Sequence, residues 1–285
     1  MKNKVIIVGG GPAGVLTAVY LKRFKIDSII FEKNEIGGTI KYANLVENLP
    51  FIKPIKGIEI TNLLKKYVFD LKISVIKEQV CDIRYVRGKF NIETSNAKCY
   101  SDFLILATGS KAVIGKEFKY IFDDLKDFEE NVIKLKNKKV AIIGGGDVAF
   151  DYSLNLASRG NKIVLFIRGS KARAIGLLVE KTERSKQIDI RYNSPIKSVY
   201  KYGKQYLIEM KNGSFGDEVF DYVFPACGRL PYFGGIKNID KILYNRSLKN
   251  KFFLAGDVKN KNFRQLVNCF SDAMNIAMTI KDAVL

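Results

Sequence analysis

Two glycine clusters are the residues whose type and spacing best suit chemistry. Gly9, Gly11 and Gly14 hold the spacing of a dinucleotide loop, with Pro12 and Ala13 between them. The first glycine permits a tight turn, the second lets backbone approach a pyrophosphate, and the third lets the following helix pack on the strand. The phosphates then meet free N–H groups and about half a positive charge at a helix N-terminus. Glu32, eighteen residues past Gly14, is placed to accept hydrogen bonds from an adenosine ribose, with Lys33 beside it. The pattern returns at Gly144, Gly146 and Ala149, where alanine stands at the third position and Asp147 and Val148 open the helix. Past the strand that follows, Arg168, Lys171 and Arg173 replace the expected acid. A guanidinium takes a ribose 2′-phosphate bidentately, whereas a carboxylate repels it. The second loop is therefore expected to take NADP, with NAD as the alternative. Asp147 and Asp151 suit the positive end of the second helix, a nicotinamide-side contact being the other reading.

Other chemistries are excluded by what is missing. The chain has no histidine, which removes histidine triads, histidine metal sites and imidazole acid–base work. Cys81, Cys99, Cys227 and Cys269 lie too far apart in sequence for a local dithiol or a zinc-type pair, and are read as reduced, mostly buried thiols. No metal is expected, and no side chain is assigned a catalytic role: the reaction is expected to belong to a cofactor. The net charge of +19 suits an acidic partner, although a lysine-rich source genome explains it equally well. No basic ribbon interleaved with aromatics is present, so nucleic acid is not expected. No apolar run approaches the roughly 20 residues of a membrane span, and Val5 to Val8 is too short for a signal-peptide core. These features lead us to expect a soluble, cytoplasmic protein.

The elements that must position the loops form a duplication. Lys4–Val8, a helix to about Lys25 and the strand Ser28–Phe31 enclose the first loop; Lys139–Ile143, a helix to about Arg159 and the strand 162–167 enclose the second. Each half closes alike, with Asp102 to Ala107-Thr108-Gly109 in one and Asp221 to Ala226-Cys227-Gly228 in the other. Phe90–Ile92 and Tyr206–Met210 read as strands of small antiparallel sheets, with Asn212-Gly213 as a turn. The expected fold class is α/β, with two Rossmann-like three-layer dinucleotide-binding domains. The first comprises residues 1–112 and 229–285 and is discontinuous; the second comprises 113–228.

At this point the sequence resembles the thioredoxin reductase-like branch of the two-dinucleotide flavoproteins, over nearly the whole chain. Gly37-Gly38-Thr39 and Val46-Glu47-Asn48-Leu49-Pro50 are similar to that family's glycine pair and Val-Glu-Asn motif, which line the flavin. Ala255-Gly256-Asp257, followed by Arg264-Gln265-Leu266, is similar to its C-terminal flavin motif. There the aspartate holds the ribityl chain and the Arg-Gln segment meets the pyrimidine end of the ring. The resemblance implies FAD at the first loop, with Thr108 and Gly109 in the cofactor-binding set, a nicotinamide nucleotide at the second, and a homodimer. Arg168 and Arg173 match two of the family's three arginines for the NADPH phosphate; Ile167 and Gly169 replace the histidine and the middle arginine.

The chief departure is a dithiol. Thioredoxin reductases carry a redox-active Cys-x-x-Cys shortly before the second glycine loop, where this chain reads Leu125 to Ile133 without cysteine. Other side chains cannot replace it in thiol–disulfide exchange. That region looks more like the ferredoxin–NADP reductases of the same branch, although their C-terminal cover for the flavin has no counterpart after the last helix. The leading expectation is an FAD-dependent NAD(P)H oxidoreductase serving an acidic small redox protein, ferredoxin or flavodoxin, or a small-molecule acceptor. The alternatives are a disulfide reductase using Cys269, a few residues past Arg264-Gln265-Leu266, and a flavin-binding protein without turnover.

Overall fold

The structure, a computed structural model, describes residues 2–125, 127–211, 215–261 and 263–284. Val5, Ile6 and Ile7 are wholly buried, as a strand covered on both faces requires. They lie in β1 (Lys2–Val8), which feeds α1 (Pro12–Arg23) and β2 (Ser28–Phe31). There follow α2 (Gly57–Asp70), β3 (Ser74–Ile76), β4 (Val80–Val86), β5 (Lys89–Thr94) and β6 (Lys98–Leu106). After β7 (Ser110–Ala112) come α3 (Asn131–Lys134), β8 (Lys139–Ile143), α4 (Asp147–Ala157), β9 (Lys162–Phe166), α5 (Gly176–Glu183) and β10 (Ile188–Arg191). A meander of β11 (Ile196–Tyr202), β12 (Gln205–Met210) and β13 (Phe215–Phe220) leads to β14 (Tyr222–Pro225). Finally β15 (Arg229–Pro231), α6 (Ile239–Leu243), β16 (Phe252–Leu254) and α7 (Leu266–Val284) complete the chain.

Two compact units result. The first holds residues 1–41, 46–111 and 230–285; the second holds 42–45 and 112–229. The divisions at 111/112 and 229/230 stand one residue from the expected 112/113 and 228/229. The segment Tyr42–Leu45 was not foreseen as part of the second unit. It joins because Tyr42 is buried in that unit's core and Asn155 Nδ2 donates to the Tyr42 carbonyl at 2.9 Å.

In the first unit the sheet runs β3-β2-β1-β6-β5-β4, with β16 also pairing β6. β1 lies parallel to both β2 and β6. The expectation of a separate small sheet around Phe90–Ile92 is corrected: β5 pairs antiparallel with both β4 and β6, and so extends the main sheet. The long β6 makes this possible, its first half bonding β5 and its last three residues β16. In the second unit a parallel sheet, β10-β9-β8-β14, is accompanied by the antiparallel β11-β12-β13. The Asn212-Gly213 turn lies outside the described residues. Among the described residues no helix is long and apolar enough to cross a membrane, and no cluster of metal-ligating side chains occurs.

Candidate functional site

The first loop is built by close backbone approach. Gly9 has φ +110°, and a Cβ there would meet the Ala107 carbonyl oxygen at 2.3 Å; at Gly14 it would meet the Gly9 oxygen at 2.0 Å. Gly11 differs: its backbone is extended, with φ −71° and ψ −178°, and a Cβ would meet nothing within 4 Å. The space opens at the N-terminus of α1, where a diphosphate fits. Gly37 donates its N–H to the Gly10 carbonyl at 2.8 Å, and a Cβ on Gly38 would lie 3.2 Å from Gly11 Cα. The glycine pair is thus brought against the loop. Glu32 accepts the N–H of Gly10 at 2.6 Å and that of Asn34 at 2.8 Å. It braces the loop, and each oxygen keeps a second lone pair for a ribose hydroxyl. Lys33, next in the chain, and Thr39, after the glycine pair, are both exposed.

The C-terminal motif closes on the same place. A Cβ on Gly256 would meet Ala13 Cβ at 2.8 Å, so the turn carrying Asp257 packs directly against α1's first turn. Ser110 donates to Asp257 at 2.9 Å. The turn is held from behind by buried Asp272, which accepts the Gly256 N–H and the Asn260 amide at 2.9 Å each and pairs with Lys259. Asn48 donates to Gln265, while the Nε–H of Arg264 is buried without a hydrogen-bond partner. A buried guanidinium N–H left unpaired costs free energy. That orphan, which has no partner among the described residues, and the open space at Gly11 are both features FAD would complete, and the residues present fit it. Leu266 begins α7 immediately afterwards.

The second loop repeats the construction. Gly144 has φ +156°, with a Cβ 2.2 Å from the Ala226 oxygen, and the space beside Gly146 is open. Asp147 does not merely face the helix dipole: its carboxylate accepts the Ile175 N–H at 3.0 Å, while Arg173 N–H donates to the Gly145 carbonyl at 2.7 Å. These bonds fold the segment carrying Arg173 back onto the loop. Arg168, Lys171 and Arg173 are all exposed, free to take a phosphate, and Val148 is half-buried at the helix start.

Asp151 takes a part that sequence reasoning missed. It accepts the Asn44 N–H at 3.0 and 3.2 Å and that of Leu45. Burial pushes its carboxyl up to about 6, partly offset by those N–H groups, with Asp147 adding to the rise. The folded state therefore holds this proton more tightly than the unfolded chain. Its contribution to stability is full only below the unfolded value of 3.8 and is lost as pH rises through about 6. Asp151→Asn is expected to stabilise the protein at pH 8 by on the order of 2 kcal/mol more than at pH 4.5. Urea unfolding at the two pH values checks this, and an equal effect at both contradicts it.

The four thiols separate. Cys99 is buried in β6, while Cys81 on β4 is the exposed one of the four. Cys227, half-buried past β14, donates to Glu117 at 3.3 Å; burial and that carboxylate push its thiol up to about 12. Cys269 lies on α7, its sulfur 3.5 Å from a Cβ built on Gly256 and bonded to Ala13 backbone. Burial, then Asp257 and Asp272, push it up to about 12 as well. Where a dithiol was missing from the sequence, Phe128 and Val132 are core residues. Between them Glu129 pairs with Arg229 and accepts the Tyr152 hydroxyl.

Comparison with known proteins decides the family. Residues 3–273 match the model of the pyridine nucleotide-disulphide oxidoreductases. The chain belongs to that family. Thioredoxin reductase of Mycoplasma genitalium is 28% identical over 300 residues, covering 98% of this chain and 95% of that one. The enzyme of Buchnera aphidicola is 29% identical, covering 93% and 92%. Among solved structures, Lactococcus lactis thioredoxin reductase superposes with a TM-score of 0.85 at 20% identity, over 98% of each chain. The bacillithiol disulfide reductase of Staphylococcus aureus does so with 0.75 at 20% identity, over the whole of both. This oxidoreductase thus has the fold of two Rossmann-like dinucleotide-binding domains, the FAD-binding one discontinuous. It is an FAD/NAD(P)H oxidoreductase of the thioredoxin reductase superfamily.

Proposed function

We propose that this flavoprotein reduces a low-molecular-weight disulfide with NAD(P)H through a non-standard thiol, Cys269. The observation that carries this reading is the place of Cys269 between Ala13 and Gly256, within the cradle that fits FAD. The balance is NAD(P)H + H⁺ + RSSR giving NAD(P)⁺ and two RSH. Bound FAD supplies the relay for the electron pair. The Gly9–Gly14 loop and Glu32 would hold its diphosphate and ribose, Asp257 its ribityl chain, and the free Arg264 N–H its ring. Gly144, Gly146, Arg168 and Arg173 would hold NADPH in preference to NADH. As a thiolate, Cys269 would attack one disulfide sulfur, release the first thiol and keep the second as a mixed disulfide until the two electrons arrive. At 7% exposure it admits a small disulfide rather than a folded protein.

Because the thiol is held protonated, its thiolate fraction grows about tenfold per pH unit until pH nears 12. Turnover of oxidised glutathione, cystine or bacillithiol disulfide is therefore expected to rise from pH 7 to 9 without a plateau. Cys269→Ser should lose at least about 100-fold of that turnover, since a hydroxyl cannot undertake the exchange, yet still let NADPH bleach the flavin. Unchanged disulfide turnover in the variant rejects the thiol. It would leave a second reading, which the +19 charge suits: electron transfer to an acidic carrier such as ferredoxin or flavodoxin, with a rate that falls as salt rises. As a homodimer, the enzyme would have an exposed apolar stripe of α7 available for a second copy, Val267, Phe270, Met274 and Met278.

A further inference from the structure

We propose that Tyr232, with Lys33 and Lys111, closes the adenosine end of the first dinucleotide site, an inference that rests on the FAD reading. In this unit β1 lies between β2 and β6, and a ligand belongs in the crevice outside the carboxyl ends of these strands. Tyr232 spans that crevice. Its main chain is fixed at the β6 end: its N–H donates to the Gly109 carbonyl at 3.0 Å, and its carbonyl accepts the Thr108 hydroxyl. Its side chain reaches the β2 end, where the phenol oxygen accepts from Lys33 Nζ at 3.4 Å. Lys33 directly follows Glu32, whose carboxylate braces the glycine loop.

The ring also gathers charge. Lys33 Nζ lies 4.9 Å from the ring centroid and Lys111 Nζ 5.8 Å, within the range of attraction to a π face. Among the described residues neither ammonium is ion-paired with a carboxylate, and both side chains are exposed. The result is a flat aromatic face with two exposed cations against it, beside a carboxylate suited to a ribose. An adenine stacked on the ring, with its ribose on Glu32 and the two ammoniums adding positive charge beside the nucleotide, answers all three features. Adenosine diphosphate is that ligand, and it is the half of FAD that lies away from the flavin.

The test uses full-length apoprotein, with ADP, FAD and FMN binding followed by calorimetry or flavin fluorescence. Tyr232→Leu keeps the bulk and removes the π face; it should weaken ADP about 10-fold, as lost base–aromatic stacking does, and FAD by a similar factor. FMN, which lacks the adenosine, should bind as in the parent. Tyr232→Phe should stay within about threefold of the parent, since the π face survives. Replacing Lys33 and Lys111 by alanine should flatten the salt dependence of ADP binding. Should the parent bind ADP and Tyr232→Leu bind it equally, the assignment to Tyr232 is overturned. Equal weakening of FMN and ADP would also overturn it, as the mark of a merely structural role. If the parent binds neither ADP nor FAD, it is the FAD reading itself that fails.

Discussion

Gly11→Val is expected to yield a folded, colourless protein. The backbone at Gly11 is extended and acceptable to any residue, and a Cβ there meets no protein atom within 4 Å. Folding therefore gives no resistance to the change. The side chain would stand where the diphosphate must approach, displacing its bonds to backbone N–H groups. Two charge-assisted bonds at about 1.5–3 kcal/mol each make the loss at least 100-fold in FAD affinity. Gly14→Val supplies the contrast. Its Cβ would lie 2.0 Å from the Gly9 oxygen, so that variant should misfold rather than merely lose cofactor. Circular dichroism and flavin absorbance separate the two outcomes. A yellow Gly11→Val protein with full FAD occupancy would refute the placement.

Arg229→Met is expected to cost about 3 kcal/mol and to lower the melting temperature by about 10 °C. The side chains of Arg229 and Glu129 are only 11% and 18% exposed, so removing the guanidinium strands a carboxylate in the core. Tyr152 would remain its donor but cannot neutralise it. Changing Glu129 to Leu in the same protein should restore much of the loss, because an apolar pair of similar bulk no longer buries a charge. Scanning calorimetry at one fixed pH and salt measures both. An unchanged melting temperature in the single variant would mean that the ion pair contributes little.

Both dinucleotide loops were legible in the sequence because each strand–loop–helix unit is contiguous and its glycines recur at fixed spacing. Gly14 is required within the loop, by the Gly9 oxygen, whereas Gly9 and Gly144 are required by Ala107 and Ala226 at strand ends far along the chain. The duplication, the interrupted first domain and the want of a dithiol followed from the same linear reading. What a short window could not show was decided by packing. β5 read as part of a small separate sheet because a strand's partners lie elsewhere in the chain, and the length of β6 joined it to the main sheet. Cys269 could be named as a thiol near the flavin motif, but only the approach of α7 to Ala13 and Gly256, with Asp257 and Asp272 alongside, holds it protonated. Asp151 read as a charge suited to a helix dipole until residues 42–45 folded onto it. Tyr232 carried no signal at all. It meets Lys33 across a separation of 199 residues, and spatial neighbours so far apart in the chain exist only once the sheet has brought the ends of β2 and β6 together.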